Sequence, residues 1–453
     1  MFGTAGTVGS TQFQVGFALP MTNRLFYRLL AHRIVRVGDP TVKITDIDVI
    51  PIHPRLATRY AGREIWGAAI DHRTVYRVRA DNGLVGYGDH RLVGPSRAAL
   101  QPLIGCDPFE FVGNDFDPGL GGALYDLMGK SLDVPAYRLM GPKVRDAISV
   151  AAWTSRASAD DFGREVGRAA QQGYGVIKMH TAPFFDILEQ TQAAEAIAPL
   201  DFRLHYDLNG NRTLATALRL LRQLEAHPIV GYIEDPFPKA DRDAWCRLRA
   251  QSHIPLIFHV AATHTRLPEL AAGVADTYLF SGVSIGRTLS GGAACACANT
   301  QVLLQLTGGT LTKALALHMA AVLPTATGHS IHLDDQYEDD VTTTRLPVVA
   351  GASKVPDGPG LGVEVDEDAL TRLAERAAAP PVAPPRCVGI LRLPGDRSWY
   401  TAVPPDVVRL TGREEGDLRG ICVDLWQDDG SENFARIYGE VSREGAVEVD
   451  PAP

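Results

Sequence analysis

Cysteine and basic charge are scarce in this chain, and long apolar runs are missing. Only six cysteines occur in 453 residues, and none forms a CxxC pair. That excludes a disulfide-stabilised scaffold and favours a reducing, cytoplasmic location. Acidic residues exceed basic ones by 53 to 44, giving a net charge of −9. This argues against nucleic acid as the main partner, because phosphate binding needs a basic face. No apolar run reaches the roughly 20 residues of a membrane-spanning helix, so no membrane partner is expected.

The chain does contain enough apolar sequence for several domains. Hydrophobic residues make up 45% and charged residues 21%, which is typical of a globular protein. The length exceeds one ordinary domain of about 100–200 residues. Residues 1–42 stand apart, because the first 38 residues contain no Asp or Glu. We expect a flexible extension there; a transit peptide and a true start at Met21 are the alternatives.

Residues 43–144 predict an α+β domain. Apolar residues suited to strands recur from Ile44 to Ile52, and Asp81-Asn82-Gly83 is a turn signal between two further strands. The predicted elements are strands at 44–52, 74–80 and 84–88 and helices at 96–104 and 121–140.

Residues 145–345 alternate short apolar runs with helical segments. Eight such strand–helix units occur, the number and order of a (β/α)8 TIM-type barrel. The polar residues that close four successive strands, Lys178, Asp207, Glu234 and His259, lie 29, 27 and 25 residues apart. A doubly wound open sheet is the alternative, but its usual GxGxxG fingerprint is missing near the start.

The chain beyond the barrel divides into two parts. Residues 346–379 hold a loop rich in turn-forming residues and a short helix at 367–378. Residues 380–453 begin with a Pro-rich linker and continue with strand-like pieces at 388–393 and 420–426. We expect a small β-rich appendage of unassigned role.

Polar residues close the predicted barrel strands, where barrel enzymes place their functional groups. Lys178 and His180 close the second strand, and residues two apart point to the same side of a strand. Asp207 and Asn209 close the third strand in the same way, and Glu234 closes the fourth. The sequence therefore predicts that these side chains meet at one end of the barrel.

Asp207 and Glu234 on neighbouring strands suit a hard cation. Asn209 and His259 are further candidate ligands, although His259 could equally be a structural histidine. Lys178 beside such a metal could bind a substrate carboxylate. His180 titrates near neutrality and can act as a general base.

Six motifs occur along the chain in a characteristic order and spacing. They are ALYDLMGK (123–130), VPAYRLMGPKVRD (134–146), VIKMH (176–180), YDLNGN (206–211), YIEDPF (232–237) and VPDGPGLGVEVD (355–366). In these motifs the sequence resembles the mandelate racemase/muconate lactonizing branch of the enolase superfamily. The resemblance runs from about Lys43 to Leu373, and the opening VKITDIDVIPI and the DLN motif look most like the glucarate dehydratase-like acid-sugar dehydratases.

The resemblance implies that residues 43–144 form a capping domain, completed by residues 346–379, over a modified barrel. It also implies one Mg²⁺ that binds a substrate carboxylate and stabilises an enediolate. His332, after the eighth strand, would be the electrophilic acid.

The chain departs from the family pattern at three places. His180 stands where relatives usually have a second lysine as the base. The third metal ligand falls near His259, and an imidazole there would shift preference towards Mn²⁺, Zn²⁺ or Fe²⁺. The His–Asp dyad of many relatives corresponds to Leu304 (or Gln305) and Ser281, neither of which can act as a base.

The leading hypothesis is a metal-dependent lyase or isomerase that uses His180 as its one base on a hydroxy-carboxylate, as an acid-sugar dehydratase does. Its partner would be a small anionic carboxylate substrate, and we expect a homo-oligomer. One alternative is a catalytically degenerate relative that binds a ligand or partner without metal-dependent turnover. Another is a transition-metal site with a different chemistry.

Overall fold

The computed structural model describes residues 42–60, 72–91, 93–182, 184–261, 267–379, 386–403 and 420–449. The extension predicted for residues 1–42 lies outside these ranges except for its last residue. In these ranges the strands are β1 Ile44–Ile52, β2 Arg73–Ala80, β3 Val85–His90, β4 Ala147–Thr154, β5 Val176–His180, β6 Arg203–Asp207, β7 Val230–Glu234, β8 Leu256–Ala261, β9 Thr277–Ser281, β10 Gln301–Gln305, β11 Ser330–Ile331, β12 Ala352–Lys354, β13 Cys387–Leu393, β14 Arg397–Thr401, β15 Cys422–Gln427 and β16 Val447–Val449.

Of the α-helices in the same ranges, two precede the barrel, seven alternate with its strands and two follow it. They are α1 Arg97–Leu100, α2 Pro118–Ser131, α3 Ala159–Gln171, α4 Ile187–Glu195, α5 Leu214–Leu224, α6 Arg242–Arg249, α7 Leu267–Ala272, α8 Ile285–Cys297, α9 Thr310–Val322, α10 Glu367–Ala378 and α11 Glu432–Glu444. No helix among the described residues is both long and apolar enough to cross a membrane.

The N-terminal part forms a three-stranded antiparallel sheet in the order β1-β2-β3. Gly83, with φ at +82°, makes the predicted turn between β2 and β3. Helix α2 lies so close to β3 that a Cβ atom at Gly86 would be 2.2 Å from the carbonyl oxygen of Ala123. Helix α10 packs on β1, so chain from beyond the barrel contributes to this α+β unit.

The two helices predicted in this unit are shorter than expected. Helix α2 begins after Asp117, whose carboxylate accepts hydrogen bonds from the backbone N–H groups of Gly119 and Leu120. It ends at Ser131 because Asp133 has a φ of +54° and Pro135 cannot continue a helix. A separate 3-10 turn then covers Ala136–Leu139. Helix α1 likewise stops at Leu100 and gives way to a 3-10 turn.

Eight parallel strands, β4 to β11, form the predicted barrel. Each strand pairs with the next, and the barrel closes where Ser330 and Ile331 of β11 pair with Val150 and Ala151 of β4. This closure confirms the barrel and excludes the open sheet. Strand β12 adds antiparallel pairing to the first residues of β4.

Most of the barrel helices begin directly after an N-cap residue that the sequence supplies. A Ser, Thr or Asp precedes the first helical residue and its side chain accepts a backbone hydrogen bond, worth about 1 kcal/mol for each helix. These N-cap residues are Ser158, Asp186, Thr213, Asp241 and Ser284.

The inside of the barrel is filled by side chains two apart along each strand. One apolar cluster there consists of Ala151, Trp153, Ile257, Leu279, Leu303, Ile331 and Leu333. Because side chains alternate along a strand, this cluster shows which residues of each strand point inward. The positions that point inward also include the residues that close four successive strands, Lys178, Asp207, Glu234 and His259.

The C-terminal appendage is a four-stranded sheet in the order β15-β13-β14-β16, with one helix. The sheet was predicted, but helix α11 was not. Phe434, Ile437 and Val441 of α11 pack on Val388 and Ile390 of β13. Their spacing of three and four residues is typical of one apolar helix face, so the signal was present in the sequence.

The opposite face of this sheet packs on the barrel. Leu391 of β13 and Phe184, in the loop after β5, are both buried in one apolar cluster with Ala182. Partly buried members of that cluster are Phe185, Leu393, Trp399, Ile421 and Val423. The appendage therefore contacts the loop that begins directly after His180.

Candidate metal and proton-transfer site

The predicted site residues lie at the carboxyl ends of neighbouring strands. His180 of β5 is in register with Asp207 of β6, and Asp207 with Glu234 of β7. Asp207, Glu234 and His259 each offer a ligand atom within 4.8 Å of the others. The structure thus brings together three of the four candidate metal ligands, two of them fully buried.

Lys178 lies directly beneath these carboxylates and is not exposed to solvent. Its ammonium nitrogen is 2.6 Å from Oε2 of Glu234, 3.1 Å from Oδ2 of Asp207 and 2.9 Å from Oε1 of Gln305. Burial lowers the pKa of Lys178, but the two carboxylates raise it by more, so the group stays charged. An ammonium group has three donors, and all three have partners. Lys178 therefore orients the carboxylates, and its predicted contact with a substrate remains a prediction.

Asp207 is held by the residues that follow it. Its Oδ1 accepts a hydrogen bond of 2.9 Å from the backbone N–H of Asn209, which has a φ of +51°. The side-chain amide of Asn209 donates to the backbone carbonyl of Asp207, and the residue is exposed. Asn209 therefore positions Asp207 through its backbone, and the structure does not show its side chain at the carboxylates.

The two oxygens of Glu234 face different groups. Burial raises its pKa, but Lys178, His205 and His259 lower it by more, so the pKa lies well below the usual value. Its Oε1 lies 2.9 Å from Nδ1 of His259. Adjacent ligands at about 2.1 Å from an octahedral ion would be about 3 Å apart. Glu234 and His259 have this spacing, and Asp207 offers a third ligand atom within 4.8 Å of both, so the three residues fit a divalent metal.

Asp235, which the sequence reasoning did not single out, supports His259. Its Oδ1 accepts a 3.1 Å hydrogen bond from the backbone N–H of His259, and its Oδ2 is 2.6 Å from the ammonium of Lys239. Burial and the charge of Glu234 raise the pKa of Asp235 to about 6, against the lowering effect of Lys239. The motif Glu-Asp-Pro at the end of β7 thus supplies a candidate ligand and the group that positions the next one.

His180 stands at the edge of the site. Its Nε2 is 3.4 Å from Oδ2 of Asp207, and its side chain is 28% exposed. Trp153 meets the ring edge-on, with 5.5 Å between ring centroids. Burial lowers the pKa of His180 to about 4, more than Asp207 raises it. The ring is therefore neutral at pH 7, as a proton acceptor must be.

Two polar residues stand where a base dyad was considered from the sequence. Ser281 and Gln305 are in register on β9 and β10, and Nε2 of Gln305 donates to Oγ of Ser281 at 3.4 Å. The other end of Gln305 accepts from Lys178. Neither side chain can take up a proton near pH 7, so this side of the barrel has no base at these positions.

His332 is not brought to the other predicted site residues. Among the described residues, the charged groups that act on its ring are Asp334 and Lys313. The ring of His332 is buried, and burial lowers its pKa to about 3. No contact between His332 and the carboxylates appears within the described residues. Its role as an acid remains a prediction that the geometry does not support.

Two buried histidines inside the barrel were missed. His205 precedes Asp207 by two residues, and its Nε2 lies 2.8 Å from Oε2 of Glu234. Its Nδ1 is 2.9 Å from Nε2 of His329, and burial lowers the pKa of both rings. The i, i+2 rule that grouped Lys178 with His180 would also have grouped His205 with Asp207.

The sequence of the barrel is similar to that of known protein families. Residues 161–369 match the family model "Enolase C-terminal domain-like". The chain is 27% identical over 217 residues to a D-galactonate dehydratase of Verminephrobacter eiseniae, covering 40% of this chain and 56% of that protein. It thus spans about half the length of that curated relative. It is 25% identical over 369 residues to the N-succinyl-L-Arg/Lys racemase of Bacillus cereus, covering 73% and 98%.

Solved structures share the fold. An enolase of Mycobacterium smegmatis complexed with tartrate matches with a TM-score of 0.63 and 23% identity, covering 76% of this chain and 94% of that one. A mandelate racemase/muconate lactonizing family protein of Azoarcus matches with a TM-score of 0.62 and 23% identity, covering 75% and 98%. The predicted resemblance to the mandelate racemase/muconate lactonizing branch of the enolase superfamily and the predicted fold are confirmed.

Proposed function

We propose that this enolase-superfamily chain is a metal-dependent lyase or isomerase that removes the α-proton of a hydroxy-carboxylate, with loss of water from an acid sugar as the leading reaction. The observation that carries the proposal is the convergence of Asp207, Glu234 and His259 at one end of the barrel. Within that group, Oε1 of Glu234 and Nδ1 of His259 lie 2.9 Å apart, the spacing of two adjacent ligands on one ion.

Asp207, Glu234 and His259 would hold a divalent cation. Such an ion, when bound, supplies positive charge where negative charge develops on the carboxylate of the substrate. Two carboxylates and one imidazole suit Mn²⁺, Zn²⁺ or Fe²⁺ as well as Mg²⁺. The cationic Lys178 beneath the carboxylates orients both of them.

His180 would accept the α-proton. Its side chain is partly exposed beside Asp207. A substrate bound at the carboxylates can therefore approach the ring of His180. Its Nε2 faces Asp207 at 3.4 Å. With a proton on Nε2, the lone pair is on Nδ1, which is then the atom that takes up the proton of the substrate.

A single base favours elimination over racemisation. The Bacillus cereus relative is named a racemase, and racemisation by two bases needs a second proton carrier on the opposite face of the substrate. Here Ser281 and Gln305 occupy the strand ends at which that carrier was sought. One acid/base is enough for elimination when His180 returns its proton to the leaving hydroxyl group on the same face.

The experiment compares the wild type with His180→Ala and with His253→Ala, an exposed histidine, as the control. Each protein, loaded with Mg²⁺ or Mn²⁺, is incubated in D₂O with a panel of acid sugars. Proton NMR then follows loss of the α-proton signal and formation of product. We expect exchange and turnover in the wild type and the control, and neither in His180→Ala. Full exchange in His180→Ala would disprove the base assignment.

One observation favours a second candidate, a relative that binds a ligand without metal-dependent turnover. The ammonium of Lys178 already bridges both carboxylates at ion-pair distances, so the carboxylates are partly neutralised by the protein itself. This candidate predicts that the purified chain holds no metal and acquires none in millimolar Mg²⁺ or Mn²⁺. Mass-spectrometric metal analysis of the wild type and Asp207→Ala distinguishes the two candidates.

A further inference from the structure

The two oxygens of Glu234 have different neighbours. Oε2 lies 2.6 Å from the ammonium of Lys178 and 2.8 Å from Nε2 of His205. Oε1 lies 2.9 Å from Nδ1 of His259, the neighbouring candidate ligand. The carboxylate is thus held by the protein through Oε2, which leaves Oε1 beside His259 for a metal ion.

The orientation of His205 depends on His329. The 2.9 Å contact between Nδ1 of His205 and Nε2 of His329 needs one proton between the two nitrogens. Suppose that this proton were on Nδ1 of His205. The Nε2 atom of a neutral His205 would then carry a lone pair, and this lone pair would face the buried carboxylate of Glu234 and be repelled by it. The favourable arrangement places the proton of each ring on Nε2. His329 then donates to His205, and His205 donates to Glu234.

The packing keeps both rings in this position. The two rings meet edge-on with 5.1 Å between centroids, and Tyr232 packs against His329 at 4.8 Å. Neither His205 nor His329 is more than 1% exposed. Water therefore cannot replace the donor that His205 provides to Glu234.

We propose that His329 and His205 are positioning residues that fix Glu234 as a ligand through Oε1 alone. This inference rests on the metal site proposed above. Groups that hold a ligand in place through hydrogen bonds commonly change metal affinity by about 10- to 100-fold when they are removed. The effect would come from Glu234 turning or bridging with both oxygens once its partner is lost.

The test measures Mn²⁺ binding to the full chain by calorimetry, with Mn²⁺ as the only added ligand. His205→Leu is expected to weaken binding by about 10- to 100-fold. His205→Gln, whose amide can reach the place of Nε2, is expected to bind within about threefold of the wild type. His329→Leu is expected to fall between them, since it releases the ring of His205 without removing it.

The control is His318→Leu, which removes an equally buried histidine on α9. Its Nε2 lies 3.2 Å from the carbonyl oxygen of Leu361, and its ring centroid lies 5.8 Å from that of Tyr137. It should lower stability in urea as much as His205→Leu does, without changing Mn²⁺ affinity. Visible absorption of bound Co²⁺ adds a second measurement, because the bands report ligand number and geometry. We expect them to change in His205→Leu and not in His318→Leu.

The outcomes separate this inference from the proposed function. Wild-type protein that binds no Mn²⁺ would overturn the metal site, and this inference with it. The second outcome is that His205→Leu binds Mn²⁺ as tightly as the wild type and shows the same Co²⁺ bands. That outcome would overturn only the positioning role. Equal loss of Mn²⁺ affinity in His205→Gln and His205→Leu would show that the donor at Nε2 of His205 does not hold Glu234 in place. That outcome would also overturn the positioning role.

Discussion

Lys178 and Glu234 form an ion pair of 2.6 Å in which neither side chain is exposed to solvent. The pair lies inside the barrel. Asp207, on the strand between those of Lys178 and Glu234, lies 3.1 Å from the same ammonium group. Removing one partner of a buried ion pair leaves an uncompensated charge, and the cost exceeds the value of the pair itself.

Replacing Lys178 with Met should therefore lower the free energy of unfolding by about 3–5 kcal/mol. Urea unfolding followed by circular dichroism measures this change. The double variant Lys178→Met/Glu234→Gln should be more stable than the sum of its single variants predicts, because it leaves no lone charge at this pair. Strict additivity would contradict a direct interaction between the two groups.

The backbone of Asn209 holds Asp207, so the side chain of Asn209 should be dispensable for metal binding. Asn209→Gly keeps the backbone N–H and tolerates the φ of +51°. We expect its Mn²⁺ affinity, measured by calorimetry, to stay within about threefold of the wild type. A loss of 100-fold or more would instead support Asn209 as a ligand, as the sequence suggested.

The buried His318 should make the protein less stable in acid. Burial lowers the pKa of His318 to about 4, whereas an unfolded histidine titrates near 6.5. Between these values only the unfolded state takes up the proton, so stability falls as the pH falls from about 6.5 to about 4. The loss for this one group is on the order of 3 kcal/mol.

The matched variant for this pH dependence is His318→Gln, which can keep the hydrogen bond to Leu361 but does not titrate. Urea unfolding at pH 7.0, 6.0 and 5.0 gives the slope of stability against pH. We expect a smaller slope in His318→Gln than in the wild type. Identical slopes would mean that His318 takes up its proton in the folded protein.

The contact between the appendage and the barrel should depend on Leu391. Its side chain is 1% exposed and lies in the cluster that contains Ala182 and Phe184. Leu391→Asp places a charge in that cluster and should increase amide hydrogen exchange in residues 181–187 and in β13. Val403→Asp is the control, because Val403 belongs to the appendage but is 53% exposed. Unchanged exchange after residue 180 in Leu391→Asp would argue against the contact.

The sequence predicted the barrel and the carboxylate pair because each depends on local periodicity. Residues two apart share a side of a strand, and strands of a parallel barrel end at one rim. These two rules were enough to predict that Asp207 and Glu234 lie close together. His332 lies outside this rule, because strand β11 ends at Ile331 and Leu333 has a φ of +63°, so strand alternation does not set the direction of the His332 side chain.

Other features depend on which partner each atom finds. Three-dimensional contacts between strands decide that all three donors of Lys178 have acceptors and that Oε1 of Glu234 faces His259. The docking of the appendage likewise joins residues about 200 positions apart, and no local pattern predicts such a pairing. Helix α11 is different, since its apolar spacing was visible and was overlooked.

The two-sided sheet of the appendage has a consequence for synthesis of the chain. Ala182 and Phe184 leave the ribosome about 200 residues before Leu391 and Val423. Until then, the two neighbouring phenylalanines after β5 have no apolar surface from this sheet to cover them. A chain still in synthesis therefore exposes an apolar patch at the rim of the barrel, which favours association. Synthesis of β13 and β15 supplies the side chains that cover this patch.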